Sequence, residues 1–175
     1  MNNDGDRYVQ RIEIPASENL ELHVDGFRYW GKVENSSGAD FTVGVWDSAG
    51  AAIEETVIDS SQQYTQMGST PYNREYMFDT TVTMTSGTVY YMGFEKSEAG
   101  ASNSLTVSYL QPGGLDGLKS WPGQDAFYAS FWDESASSWT DDNTKRLLLN
   151  PILSSIHGTG GGGSTISGPS MGVIG

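Results

Sequence analysis

The chain has no cysteine. Thiol catalysis, zinc–thiolate sites and a disulfide framework are therefore excluded, and the chain is indifferent to the redox state of its compartment. Positive charge is scarce: 9 Lys and Arg stand against 22 Asp and Glu, a formal net charge of −13. That balance repels phosphate backbones and anionic membrane surfaces, so no nucleic-acid partner is expected. Solubility is the plainest use of such acidity; a calcium-rich or saline setting, or a basic partner, are sharper ones. Only two histidines occur, His23 and His157. No 18 apolar residues run together, so no membrane insertion is expected. Residues 1–14 carry no apolar segment behind a basic start, so no secretory signal is expected there. Helical periodicity is missing as well, because no stretch keeps apolar residues at i, i+3 and i+4.

What is present is alternation. In LELHVDGFRYWGKVENSSGADFTVGVWD, residues 20–47, Leu20, Leu22 and Val24 alternate with Glu21, His23 and Asp25. Phe41, Val43 and Val45 alternate with Thr42, Gly44 and Trp46. A period of two puts one set on a buried face and the other outward. The stretch reads as two strands joined by the polar turn Asn35-Ser-Ser-Gly38, with a bulge at Asp25-Gly26. The same grammar recurs at Tyr8–Ile14, Ala52–Ile58, Glu75–Met84, Thr88–Glu95, Asn103–Leu110, Ala126–Asp133 and Arg146–Ile156. A final strand is expected before Pro151, with a short apolar continuation after it. Residues 59–74 and 111–125 are long irregular connections, and Ser135–Asn143 reads as a loop. About nine strands with 22 Gly predict an all-β protein, an antiparallel β-sandwich of jelly-roll type. At 175 residues this is one domain plus a tail, large enough to fold without metal or disulfide.

The tail begins near Gly158, giving a sandwich domain over 1–157 and a Gly-rich arm over 158–175. From Leu147 onward no residue is charged, apart from the titratable His157. Apolar groups return at Ile166, Met171, Val173 and Ile174. A Gly-rich segment loses much entropy on ordering and has little to bury alone. These four residues are therefore candidates for seating the arm on a neighbouring subunit; a linker, or an arm folded back on its own domain, are the alternatives.

Signals for chemistry are weak. No G-x-S-x-G elbow accompanies the two histidines, and no H-E-x-x-H or clustered His suggests a metal. Asp4 and Asp6 flank Gly5 like the start of a calcium loop, but the twelfth position is Pro15 rather than Glu. Glu54-Glu55 and Asp141-Asp142 could imitate a glycosidase dyad. Adjacent strand residues point to opposite faces, however, and Asp141-Asp142-Asn143 reads more simply as a turn. The run Gly160–Gly163 lacks the Lys-Ser/Thr pair of a phosphate loop and the helix that follows it. No catalytic residue, cofactor or metal site is expected. Val45-Trp-Asp-Ser-Ala49 and Phe131-Trp-Asp-Glu-Ser135 echo one another; each Trp is expected to cover a sheet end and each Asp to accept from turn amides. Trp30 and Trp46 fall opposite the apolar phase of their strands. They either face solvent as an aromatic binding surface, or lie under a loop or partner.

Residues 24–55, VDGFRYWGKVENSSGADFTVGVWDSAGAAIEE, together with FDTTVTMTSGTVYYMGFE, resemble β-sandwich modules of phage structural proteins. The end of the chain, SSWTDDNTKRLLLNPILSSIHGTGGGG, resembles the C-termini of tail and head-decoration proteins. The resemblance rests on spacing and turns and carries over no active-site residue. It implies a non-enzymatic virion component, a capsid decoration or a piece of tail or fibre. Other capsid or tail subunits would be its partners, in a homo-oligomer, with a trimer the expected form. Similar sandwiches also serve as carbohydrate-binding modules, so binding of a host glycan through exposed Trp and Tyr is the alternative.

Overall fold

A computed structural model describes residues 5–34, 41–58, 72–96, 104–107, 109–110, 127–142 and 145–158. Among them are β1 (Arg7–Glu13), β2 (Leu20–Glu34), β3 (Phe41–Trp46), β4 (Ala52–Ile58), β5 (Tyr72–Thr85), β6 (Val89–Lys96), β7 (Ser104–Val107), β8 (Tyr109–Leu110), β9 (Phe127–Asp133), β10 (Ser138–Asp142), β11 (Arg146–Leu147) and β12 (Leu149–Gly158). A 3-10 turn, Ala16–Glu18, follows Pro15. The protein is all-β, as the alternation predicts.

The strands form two antiparallel sheets that pack face to face. One has six strands in the order β10-β9-β1-β6-β3-β4. The other runs β12-β2-β5, with β7 also paired to β2. Gly31 pairs with both Tyr72 of β5 and Val107 of β7, so β7 continues the β12 side of β2. The short β8 and β11 pair with each other. From β1 to β7 the chain changes sheet at every connection except the β3–β4 hairpin, which is the winding of a jelly roll.

That winding corrects one expectation. β2 and β3 do not pair: β2 lies between β12 and β5, and β3 lies between β6 and β4. Alternation reports which face is buried, and two strands facing each other across a core alternate just as two paired strands do. The bulge at Asp25-Gly26 stands, as a register shift between Val24 and Gly26. A side chain at Gly26 would run into the Tyr76 carbonyl, so the position has no room for a Cβ.

Two further expectations change. Ser138–Asp142, read as loop, is the edge strand β10. Its polar residues mask it, because an edge strand on a solvated face needs few apolar positions. The last strand does not stop at Pro151 but runs on to Gly158. Proline is tolerated there because β12 lies at the sheet edge, paired to β2 on one side, and two register shifts flank Leu153.

The core lies between the sheets. Ile12, Ile14, Phe41, Val43, Val45, Met92 and Phe94 from one sheet meet Leu22, Val24, Phe27, Tyr29, Val82 and Met84 from the other. Phe27 and Tyr29 both meet Phe94 edge-on, with centroids at 5.4 and 5.0 Å. Burial pushes the Tyr29 hydroxyl up to about 12, so it stays protonated. Gln10 is buried among apolar residues, but its Oε1 accepts the Leu147 amide at 2.9 Å, which ties β11 to β1.

Candidate functional site

Two outward faces hold the residues of interest. On the six-stranded sheet the Trp-Asp echoes behave as expected. Asp47 accepts the amides of Ala49 and Ala51 at 2.8 and 2.9 Å, and Gly50 takes the positive φ of 80° that this turn requires. Asp133 accepts the Ser135 hydroxyl at 2.6 Å and the amides of Ser135 and Ala136. These bonds, the Ser135 hydroxyl first, hold its carboxyl below the usual carboxylate range.

The two turns also bring their tryptophans to one place. The Arg7 guanidinium lies 4.8 Å from the Trp46 ring and 5.3 Å from the Trp132 ring. Arg7 donates from Nε to Glu95 at 2.5 Å and from Nη1 to the Gly50 carbonyl at 2.7 Å. Burial raises the Glu95 carboxyl above its ordinary value, although the Arg7 bond pulls it back. Trp139 of β10 stacks on Tyr91 of β6 at 3.8 Å and 5°, and its Nε1 donates to the Asp47 carbonyl at 3.3 Å. Val9, Trp46 and Tyr91 form a second buried cluster on this face.

Trp46 is 0% exposed and is therefore not part of an aromatic binding surface. The reason is local. The turn after β3 lies against the Trp132 ring, Arg7 covers the Trp46 ring, and Trp139 packs against the cluster from the sheet edge. The Trp46 Nε1 is buried without a hydrogen-bond partner. Trp30 is different. It is 42% exposed on the outer face of the four-stranded sheet. Arg28, two residues before it, pairs with Glu75 across the sheet, Nε to Oε1 at 2.8 Å. Asn73 is its partner on β5, and its own amide donates to the Leu148 carbonyl at 2.9 Å.

The two histidines meet further along the same face. Their ring centroids are 4.7 Å apart. His23 Nε2 bonds Glu21 at 2.7 Å, and His157 Nε2 bonds the Ser155 hydroxyl at 2.9 Å. A serine bonded to an imidazole can be activated as a nucleophile when a third group orients that imidazole. Here Glu21 bonds the other ring, so no single imidazole holds both partners. Among the described residues no three His, Asp or Glu side chains are arranged to hold a metal.

The acidic pairs are split, as alternation requires. Glu54 accepts from Thr80 of β5 at 2.6 Å and bridges the two sheets, whereas Glu55 is exposed. Asp141 accepts the Ser130 hydroxyl, while Asp142 takes Lys145 at 2.6 Å. Asp6 is buried, and its Oδ1 accepts the Glu134 amide at 3.4 Å. Asp4 lies outside the described residues, as do the arm residues Ile166, Met171, Val173 and Ile174.

One surface is visible only in the structure. β4 ends the six-stranded sheet, and Ala52, Ile53, Glu55 and Val57 along it are exposed, Ile53 by 43% and Val57 by 58%. Among the described residues no strand pairs beyond β4, and its seven residues include two Glu but no Pro, Lys or Arg. The apolar pattern of AIEETVI is legible in the sequence, but edge position is not. Sequence reasoning also missed Arg7, Trp139 and Tyr91; the Trp-Asp echo singled out Trp132 as well as Trp46 but did not place the two side by side.

No family model, curated protein or solved structure matches the chain.

Proposed function

We propose that the protein is a non-enzymatic structural subunit of a virus particle, a capsid decoration or a component of a tail or fibre. It joins its neighbours through edges and termini rather than through a pocket. The observation that carries this reading is that, among the described residues, β4 ends its sheet of the jelly roll with no strand paired beyond it. An edge strand of this length with exposed Ile53 and Val57 is a ready template for another chain, and monomeric proteins blunt such edges. The titratable side chains support it as well. Glu95, Asp47, Asp133, Glu54, Asp141 and Asp142 all brace turns or neighbouring strands. The uncharged arm leaves from Gly158 at the end of β12, free of the repulsion that a −13 chain imposes between copies.

The test is location. Particles purified from the producing culture should contain the chain in fixed ratio to the major capsid or tail protein, by quantitative peptide mass spectrometry. A chain that stays in the particle-free fraction contradicts the reading.

A second reading is favoured by Trp30 alone. An exposed indole beside Arg28, Glu75 and Asn73 combines a stacking plane with planar hydrogen-bonding groups, which suits a pyranose ring. Binding on a glycan array that Trp30→Ala abolishes would support a carbohydrate-binding module.

A further inference from the structure

The geometry points to a metal site at the His23–His157 pair: one late first-row divalent ion, with zinc as the type, is shared by the two imidazoles and joins β2 to β12. The inference stands on this pair of side chains and does not depend on where the protein resides.

The two histidines of the chain are brought together by strand register. His23 lies opposite Ser155, and Glu21 lies opposite His157. The four side chains thus form a square with the imidazoles on its diagonal. Bonds run along each strand, between Glu21 Oε1 and His23 Nε2 at 2.7 Å and between the Ser155 hydroxyl and His157 Nε2 at 2.9 Å. Across the diagonal the ring centroids are 4.7 Å apart, with the planes tilted by 49°. On the other side of β2, Thr83 and Thr85 of β5 lie opposite His23 and Glu21, so that strand offers hydroxyls here rather than a competing positive charge.

The ring separation matches shared coordination. A Zn–N bond of about 2.0–2.1 Å sets an imidazole centroid about 3.2 Å from the ion. Two such rings bound at an angle of about 90–110° have centroids about 4.5–5.2 Å apart. The observed 4.7 Å falls inside that range. Two imidazoles supply two ligands, and water completes the shell. Solvent reaches the pair, because the His23 and Glu21 side chains are 31% and 32% exposed.

The hydrogen bonds supply the outer shell. A metal-bound imidazole donates its other ring N–H to a carboxylate or another acceptor, which fixes its tautomer and orientation. Glu21 serves His23 in this way and the Ser155 hydroxyl serves His157, each at Nε2, so Nδ1 of each ring is the donor to the metal. Imidazole nitrogen favours zinc, copper or nickel, whereas magnesium and calcium favour oxygen. A net charge of −13 raises the concentration of any cation near the surface.

The strands say what the ion does. Among the described residues β12 is an edge strand paired to β2, and two register shifts beside Leu153 interrupt that ladder. His157 is the next-to-last residue of β12, beyond both shifts. An ion shared with His23 fastens the end of this strand to the middle strand of its sheet.

The test uses zinc chloride and the full-length chain, with binding read by calorimetry and Tm by circular dichroism. No thiol and no third imidazole competes. One ion per chain is expected, with Tm raised by about 5–10 °C at free zinc about a hundredfold above Kd. His23→Gln and His157→Gln should each weaken binding by about tenfold or more. Circular dichroism checks that each variant keeps its β fold, and NMR of the imidazoles should show zinc acting on Nδ1 of both rings at one equivalent. The inference is overturned if zinc neither binds nor raises Tm, or if either single variant binds as tightly as the parent chain. Response of one ring alone also overturns it, as does a doubled mass by light scattering, which would place the ion between two chains. Zinc held equally well by the double variant, or an equal rise in Tm with magnesium, would assign the ion to surface carboxylates and likewise overturn it.

Discussion

The two outer faces of the sandwich use the same residue types to opposite ends. On the six-stranded sheet, Trp46, Trp132, Trp139 and Tyr91 close over Arg7 and make a second core outside the first. On the four-stranded sheet, Trp30, His23 and His157 remain among polar neighbours, and Trp30 keeps nearly half its surface in water. Trp30 and Trp46 occupy the same phase of their strands, opposite the apolar row. What separates them is the company each keeps: Trp46 ends a strand beside a cation and a tryptophan from the sheet edge. An outward tryptophan is thus a structural residue or a surface one according to its neighbours in space.

The largest break in this contrast is Trp46→Ala. Emptying a fully buried indole site should cost about 3–5 kcal/mol, read as a lower urea midpoint with an unchanged slope. Gly50→Ala comes next. Its φ is +80°, and an added Cβ would run into the Trp132 ring, so about 1–3 kcal/mol should be lost although no contact is removed. The size of that loss, again from the urea midpoint, reports how tightly the turn is clamped over the cluster.

Glu95 sharpens the contrast through pH. Its carboxyl is raised in the folded state, chiefly by burial. The unfolded chain therefore releases this proton first as pH rises. Stability from Glu95 is fully present below the ordinary carboxylate value and falls as pH climbs through the raised one. Glu95→Gln should remove that descending component, seen as a difference between the two stability–pH curves that vanishes at low pH and levels off above the window. The smallest effect is expected at Trp30→Ala: stability unchanged to within about 0.5 kcal/mol by urea titration, as for a surface position. A cost as large as that at Trp46 would mean that the two faces are alike.

The fold class is legible in the sequence because alternation is local. Leu22, Val24, Phe41, Val43 and Val45 are all buried. Partners are not local, and so β2 and β3 read as a hairpin although they never pair: facing sheets and paired strands leave the same pattern. β10 escapes notice because Trp139 alone among its residues is a large aromatic. The second core is only half legible. The repeated Trp-Asp turns announce two similar corners, but nothing in the linear chain places Arg7 between them. The histidines lie far apart in the chain and meet only through the β2–β12 register, which brings Glu21 opposite His157.

The most direct measurement is hydroxyl-radical footprinting of the native chain, with oxidation resolved for each tryptophan by peptide mass spectrometry. A sealed cluster on one face and an open surface on the other predict rapid oxidation of Trp30 and protection of Trp46 and Trp132. Trp46 oxidised as fast as Trp30 in the folded protein would contradict the account.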